Sequence, residues 1–259
     1  SKLHTFLKQI NRNSGNIIKL LQKYNTHNLI KNTKCKNITE LSKHNYSYIT
    51  KFTLDIHKTG FDIEYEYLLY TILYKHFGTE LLQFPRNETY YISREMCHMG
   101  FVLRPITSID YKIDPKEKTY ITLKKLLDNR ERYDIKDIIN IVLQVLCTLS
   151  VTGQRLEFTH YNCTLDNILI YDITEHIHTN TPKYLQFNLQ IGEVFVPCKY
   201  IIFFKNLDRA HINIRNFKSK TVKDIIIKHW LETDTKMSKY SPNYDVYTFI
   251  NDLFETIRS

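Results

Sequence analysis

The chain has 259 residues, room for one large domain or two lobes with an ample core, and its 42% hydrophobic and 24% charged content are ordinary for a globular protein. No run approaches the roughly 18 apolar residues of a membrane span and no secretory signal is visible, which argues against an integral membrane or secreted protein. The net charge of +9 has two readings, a surface for nucleic acid or anionic membrane, or lysines that are simply solvated, since they run scattered from Lys2 to Lys239 without a block or an aromatic-basic platform.

Residues 3–23 place Leu3, Phe6, Leu7, Ile10, Ile17, Ile18, Leu20 and Leu21 at broadly helical spacing, broken near Asn13-Ser14-Gly15, and read as one or two amphipathic helices. From Leu29 to Leu54 the chain offers short extended runs, the last of which, Y-S-Y-I-T-K-F-T-L (46–54), alternates like a strand. D-I-E-Y-E-Y-L-L-Y-T-I-L-Y-K-H-F (62–77) predicts a helix, with Asp62 near its start and Gly78 just past its end. Residues 89–110 read as two short strands, L-K-K-L-L (123–127) as the start of a helix, and 134–150 as a second, largely buried helix. Ile168–Tyr171 is a short strand, and 184–204 reads as strand, turn at Ile191-Gly192, and more strand. A helix is expected around 221–231, and another starts within S-P-N-Y-D-V-Y-T-F-I-N-D-L-F (241–254). The order, a strand-rich half with one helix and then a helical half holding a hairpin, predicts an α+β, two-lobed plan without internal repeats.

The five cysteines, Cys35, Cys97, Cys147, Cys163 and Cys198, are odd in number and form no C-x-x-C pair, which favours a reducing compartment over a disulfide framework or a zinc site. His176 and His178 have the look of a metal pair but sit in a polar stretch, where imidazoles are ordinarily solvated. The chain begins without Met, as a fragment or a processed product would.

One stretch carries chemistry: T-H-Y-N-C-T-L-D-N-I-L-I (159–170) follows the buried helix and ends in the short strand. His160, a polar residue two positions on and Asn167 five further form the skeleton of a protein-kinase catalytic loop, except that Asn162 stands where that loop has Asp. With its flanking helix and strand, the stretch resembles the protein-kinase fold, and in particular the divergent haspin-like kinases of large DNA viruses, whose loop tends to run F-T-H-Y-D-L-H-x-x-N. Phe158-Thr159-His160-Tyr161 matches, Cys163-Thr164 replaces Leu-His, and Asn167 is kept. The hairpin at 184–204 is similar to an insertion that viral members often carry.

The resemblance implies three regions: a helical extension over 1–28, a kinase-like N-lobe over 29–110, and a partial C-lobe over 111–259 that stops after its long central helix. It implies that Lys51, in I-T-K-F, grips phosphates and that Glu66 pairs with it, Glu64 being the alternative register. It places Asn206-Leu207-Asp208-Arg209-Ala210 at the metal-binding D-F-G segment, with Asn167 as the second metal ligand. Asp245, in Y-D-V-Y-T-F, resembles the buried aspartate that opens the central helix, and an N-cap is its plainer reading.

The chain departs from the family in three places. Asn162 has the shape of the missing Asp and accepts a hydrogen bond, but takes up no proton near neutral pH; losing general-base help costs on the order of 10²–10⁴ in rate. Asn206 offers Mg²⁺, a hard cation, only a neutral carbonyl oxygen, and Asp208 as a substitute lies two residues on, about 6–7 Å along an extended segment. None of the six glycines, Gly15, Gly60, Gly78, Gly100, Gly153 and Gly192, falls within 25–50, where a phosphate-covering loop belongs. Base, metal and phosphate cover are each struck separately.

The sequence therefore points to a catalytically inactive kinase-like scaffold of a large DNA virus, with a protein partner and a location in the virion or the host cytoplasm. It needs no cofactor, and ATP binding without strong Mg²⁺ dependence is compatible with a surviving Lys51–Glu66 pair. Two alternatives remain open. One is a divergent, active serine/threonine kinase that uses Asp208 or Asp166; the other is a basic nucleic-acid-binding module.

Overall fold

The computed structural model describes residues 39–41, 49–53, 56–78, 80–84, 86–93, 98–104, 121–173, 183–215, 218–233 and 239–258, with side chains described from Tyr65 on and not for 85–120. The expected extension over 1–28 lies outside the described residues. Within them the protein is a mixed helix-and-sheet, α+β structure.

Strands β1 (Thr39–Leu41), β2 (Ile49–Thr53), β3 (Arg86–Ser93) and β4 (His98–Arg104) form an antiparallel sheet in the order β1-β2-β4-β3. Lys51 pairs in register with Phe101 on one side and Glu40 on the other, in the strand expected from alternation at 46–54. Helix α1 (Ile56–Phe77) packs across β2, β3 and β4. It starts six residues before the expected Asp62 and runs through Gly60 despite a glycine cost of about 1 kcal/mol. It ends as expected: Gly78 takes φ +55° and its N–H reaches the Tyr74 carbonyl at 2.7 Å.

A second sheet, β5-β6-β9, joins β5 (Ile121–Thr122), β6 (Ile168–Asp172) and β9 (Tyr200–Phe204), all antiparallel. Strands β6 and β9 are almost wholly buried, which suits their apolar I-L-I-Y and Y-I-I-F-F runs. Between β6 and β9 lies the hairpin β7 (Tyr184–Leu189) and β8 (Gly192–Pro197). Leu189 pairs with Gly192, so the two-residue turn is Gln190-Ile191, one position earlier than expected, and Gly192 supplies a φ of +127°.

Helix α2 (Leu123–Leu127) is capped by the Thr122 hydroxyl, which accepts from Lys125 N–H. Helix α3 (Ile135–Leu156) is capped by Asp134 and reaches six residues past the expected end, to a left-handed Glu157. It is long and apolar enough to cross a membrane by length and composition, yet half of that window is buried, and it packs on β7, β8 and β9. Helices α4 (Lys220–Thr233) and α5 (Tyr244–Arg258) complete the chain order.

The outer edge of β9 is closed by side chains and by the backbone of Gln83. The Gln144 amide, fully buried on α3, donates to Tyr200 O at 2.7 Å and accepts from Ile202 N at 3.3 Å, as a neighbouring strand would. Phe204 N–H donates to Gln83 O, and Tyr70 Oη donates to Phe204 O at 2.9 Å. Tyr65 Oη likewise donates to Ala210 O at 2.5 Å. Helix α1 thus sits between the four-stranded sheet and the segment that follows β9, with the hydroxyls of buried Tyr65 and Tyr70 donating to backbone carbonyls.

Candidate functional site

Three segments meet where the sequence placed its candidate residues: the loop 158–167 between α3 and β6, the segment 205–211 after β9, and the start of α5. Loop and segment are tied by a two-way bridge, with Thr159 N to His211 O at 3.1 Å and His211 N to Thr159 O at 2.6 Å.

His160 is fully buried, and its Nε2 donates to Lys205 O at 2.9 Å, a carbonyl acceptor that fixes the tautomer. The backbone N–H groups of His160 and Tyr161 donate to the two oxygens of Asp245, at 2.5 and 2.9 Å. Asp245 is 4% exposed in the first turn of α5, so its role is to hold the loop rather than to cap its own helix. Burial pushes its carboxyl up to about 6, while the two N–H donors hold it down. Asp252, seven residues on and on the same helix, accepts from Leu165 N at 2.8 Å and anchors the loop's far end.

That double anchorage supports strained backbone. Tyr161 sits at φ +59°, rare for a bulky side chain, and its Oη donates to Lys239 O at 2.5 Å while its ring lies 5.0 Å from that of Tyr244. Asn206 is also left-handed, at φ +59°, ψ +59°, a conformation that asparagine tolerates well.

The three asparagines singled out from the sequence are joined in series. Asn206 Nδ2 donates to Asn167 Oδ1 at 2.6 Å, and Asn167 Nδ2 donates to Asn162 O at 2.8 Å. Lys205 N–H also reaches Asn167 O at 3.1 Å. Glu66, 1% exposed on α1, accepts Leu207 N–H at 2.8 Å and so joins α1 to the same segment. The structure thus brings together His160, Asn162, Asn167, Asn206 and Glu66. The side chain of Lys51, and with it the expected Lys51–Glu66 pair, lies outside the described residues, as does Glu64.

Asp208 lies in a short turn, Leu207–Arg209, where His229 Nε2 of α4 donates to its carbonyl at 2.7 Å. Asp166 is exposed on the turn Leu165–Asn167. Cys163, beside Asn162, is fully buried, and burial with Asp245 and Asp252 nearby pushes its thiol well up, which leaves it no nucleophilic character near neutral pH. His176 and His178 lie outside the described residues.

Tested against Mg²⁺, the residues do not fit. The Asn167 oxygen that a cation would need is already accepting from Asn206, and Asn206 is itself a neutral amide at the position where the resemblance has an anionic ligand for a hard dication. Among the described residues no three His, Cys, Asp or Glu side chains gather as a metal site.

Sequence reasoning missed Gln144 and Asp252. A glutamine within an apolar helix gives no pattern; Asp252 had a signal, its seven-residue spacing from Asp245, which puts both on one helical face. No family model matches the chain and no curated protein matches it, so its chemistry is read from these residues alone.

Proposed function

We propose that this protein is a two-lobed kinase-like scaffold whose phosphoryl-transfer site has been converted into a structural joint, acting as an interaction component of a large DNA virus inside a reducing compartment. The observation that carries the reading is the 2.6 Å hydrogen bond from Asn206 to Asn167, an amide-to-amide link between the two positions that the resemblance assigns to metal. Asn162 extends the same logic: its backbone carbonyl serves the joint, and its side chain carries no base for a hydroxyl proton. In this reading Glu66, by holding Leu207, fixes α1 against the segment after β9.

Thermal unfolding of the full chain with ATP, alone and with Mg²⁺, tests this. Ligand at a hundredfold over its Kd adds about 2.7 kcal/mol to stability, several degrees in Tm. The expected result is that Mg²⁺ adds nothing to whatever ATP does alone. A Mg²⁺-dependent rise of that size would return the chain to the active-kinase reading, with Asp208 or Asp166 as the ligands to substitute next.

A further inference from the structure

Helix α4 has two faces of opposite use. Val222, Ile226, His229 and Trp230 are buried, with Trp230 Nε1 donating to Tyr65 Oη at 3.0 Å and the His229 ring stacked on Tyr65 at 3.7 Å. The outward face repeats at helical spacing through Lys220, Lys223, Ile227 and Leu231, beside Lys228. Ile227 is 42% exposed and Leu231 70% exposed, so both apolar side chains face water on a helix whose core contacts are already made.

The charge around them is one-sided. From Arg215 to the end of α4 at Thr233 the chain has five cations, Arg215, Lys218, Lys220, Lys223 and Lys228, against two carboxylates, Asp224 and Glu232. Arg215, Lys218 and Lys220 are exposed and take part in none of the ion pairs among the described residues, which join Lys124–Asp128, Arg132–Glu131, Arg155–Glu80 and Lys199–Asp137. Lys223 Nζ donates to Arg215 O at 3.0 Å and draws the cations of loop and helix together. The first turn of α4 has no acidic residue and two lysines, against the sign the helix dipole favours. Folding stability gains nothing from this arrangement, whereas an acidic partner would.

We infer that the outward face of α4 docks an acidic, apolar-bearing protein segment, whose carboxylates meet Lys218, Lys220, Lys223 and Arg215 while its apolar side chains cover Ile227 and Leu231. Charge complementarity selects a negative partner, and the two bare aliphatic side chains select protein over nucleic acid, because they offer nothing to a phosphate backbone and no ring on which a base stacks. The inference goes beyond the proposed loss of catalysis and stands on a surface away from the asparagine joint.

The test is fluorescence anisotropy of the full chain with a labelled acidic peptide of about 18 residues, five helical turns, carrying leucines at i, i+4 flanked by glutamates. Lys220→Glu with Lys223→Glu is expected to weaken binding by about tenfold, two attractive contacts having become repulsive, and to steepen it no further in high salt. Leu231→Ser is expected to weaken it severalfold at unchanged Tm, since the side chain is exposed. A peptide of the same composition with its leucines scattered is expected to bind less tightly. Absence of binding, or binding indifferent to all three substitutions, overturns the inference. So does a preference for single-stranded DNA or phosphatidylserine vesicles over the peptide that the same variants abolish. The titration contains no nucleotide or Mg²⁺, so its failure and that of the proposed scaffold role are separate results.

Discussion

The carboxyl of Asp245 makes a pH-dependent joint whose sign can be worked out. In the unfolded chain it titrates near 3.8, and in the folded protein burial raises it to about 6. The folded state therefore binds more protons between those values, and stability falls as pH rises through that window. An ionised carboxyl held so far up costs about 3 kcal/mol at pH 7, about 1.5 at pH 5 and under about 1 at pH 4. Against this stand the N–H groups of His160 and Tyr161, each of which would cost about 1–3 kcal/mol if left bare. Asp245→Asn removes the titration and keeps one acceptor. Urea unfolding of both proteins from pH 4 to 7 should show wild type gaining about 2–3 kcal/mol on the variant as pH falls, other groups cancelling in the difference. A difference that stays flat over that range would mean that Asp245 is not a buried staple and does not anchor the loop.

Gln144→Leu should cost about 2–4 kcal/mol in urea unfolding, because it strips Tyr200 O and Ile202 N–H of their partner at a buried sheet edge. Glu66→Ala should cost at least about 1–3 kcal/mol by leaving Leu207 N–H bare in a fully buried position. Arg155→Ala should cost no more than about 1 kcal/mol despite a two-pronged contact with Glu80 at 2.6 and 2.7 Å, since both side chains are about a third exposed. That small contribution belongs to a carboxyl held below its ordinary range, so it should be present at pH 7 and fade in acid, opposite in sign to Asp245.

Local pattern made most elements legible. The apolar period gave α3 and α5, the continuous runs gave β6 and β9, and the glycine at 78 gave a helix end. What stayed hidden depends on the rest of the molecule. The first turns of α1 hold poor helix formers, Thr59 and Gly60 among them, so local pattern starts the helix too late. Gln144 acquires meaning only when α3 lies along β9, and Tyr65 only when Ala210 and Trp230 come within reach of its hydroxyl. The asparagines were visible as residues out of place, but their linkage was not, because nothing in a one-dimensional spacing says that Asn206 turns left-handed and aims its amide at Asn167. Asp245 admitted two readings from sequence, and distance chose between them: its oxygens reach residues 84 and 85 positions away.

The hydrogen bonds also explain why amides, rather than apolar residues, suit positions 206 and 167. A carboxylate only accepts, whereas an amide accepts and donates, so Asn167 can accept from Asn206 while donating to the backbone carbonyl of Asn162. Asn206→Asp tests this directly. The change removes the donor and sets an anionic oxygen against Asn167 Oδ1 across what is now a 2.6 Å contact. Asn167 cannot turn its amide to help without giving up its 2.8 Å bond to Asn162 O. In EDTA the variant should lose about 1–3 kcal/mol in urea unfolding, the cost of a broken, partly buried hydrogen bond with two acceptors facing. Millimolar Mg²⁺ should restore part of that loss in the variant and none in wild type, because a single carboxylate beside a freed amide oxygen is the beginning of a hard-cation site. A variant as stable as wild type in EDTA would show that the amide-to-amide bond holds nothing, and that the resident asparagines are bystanders.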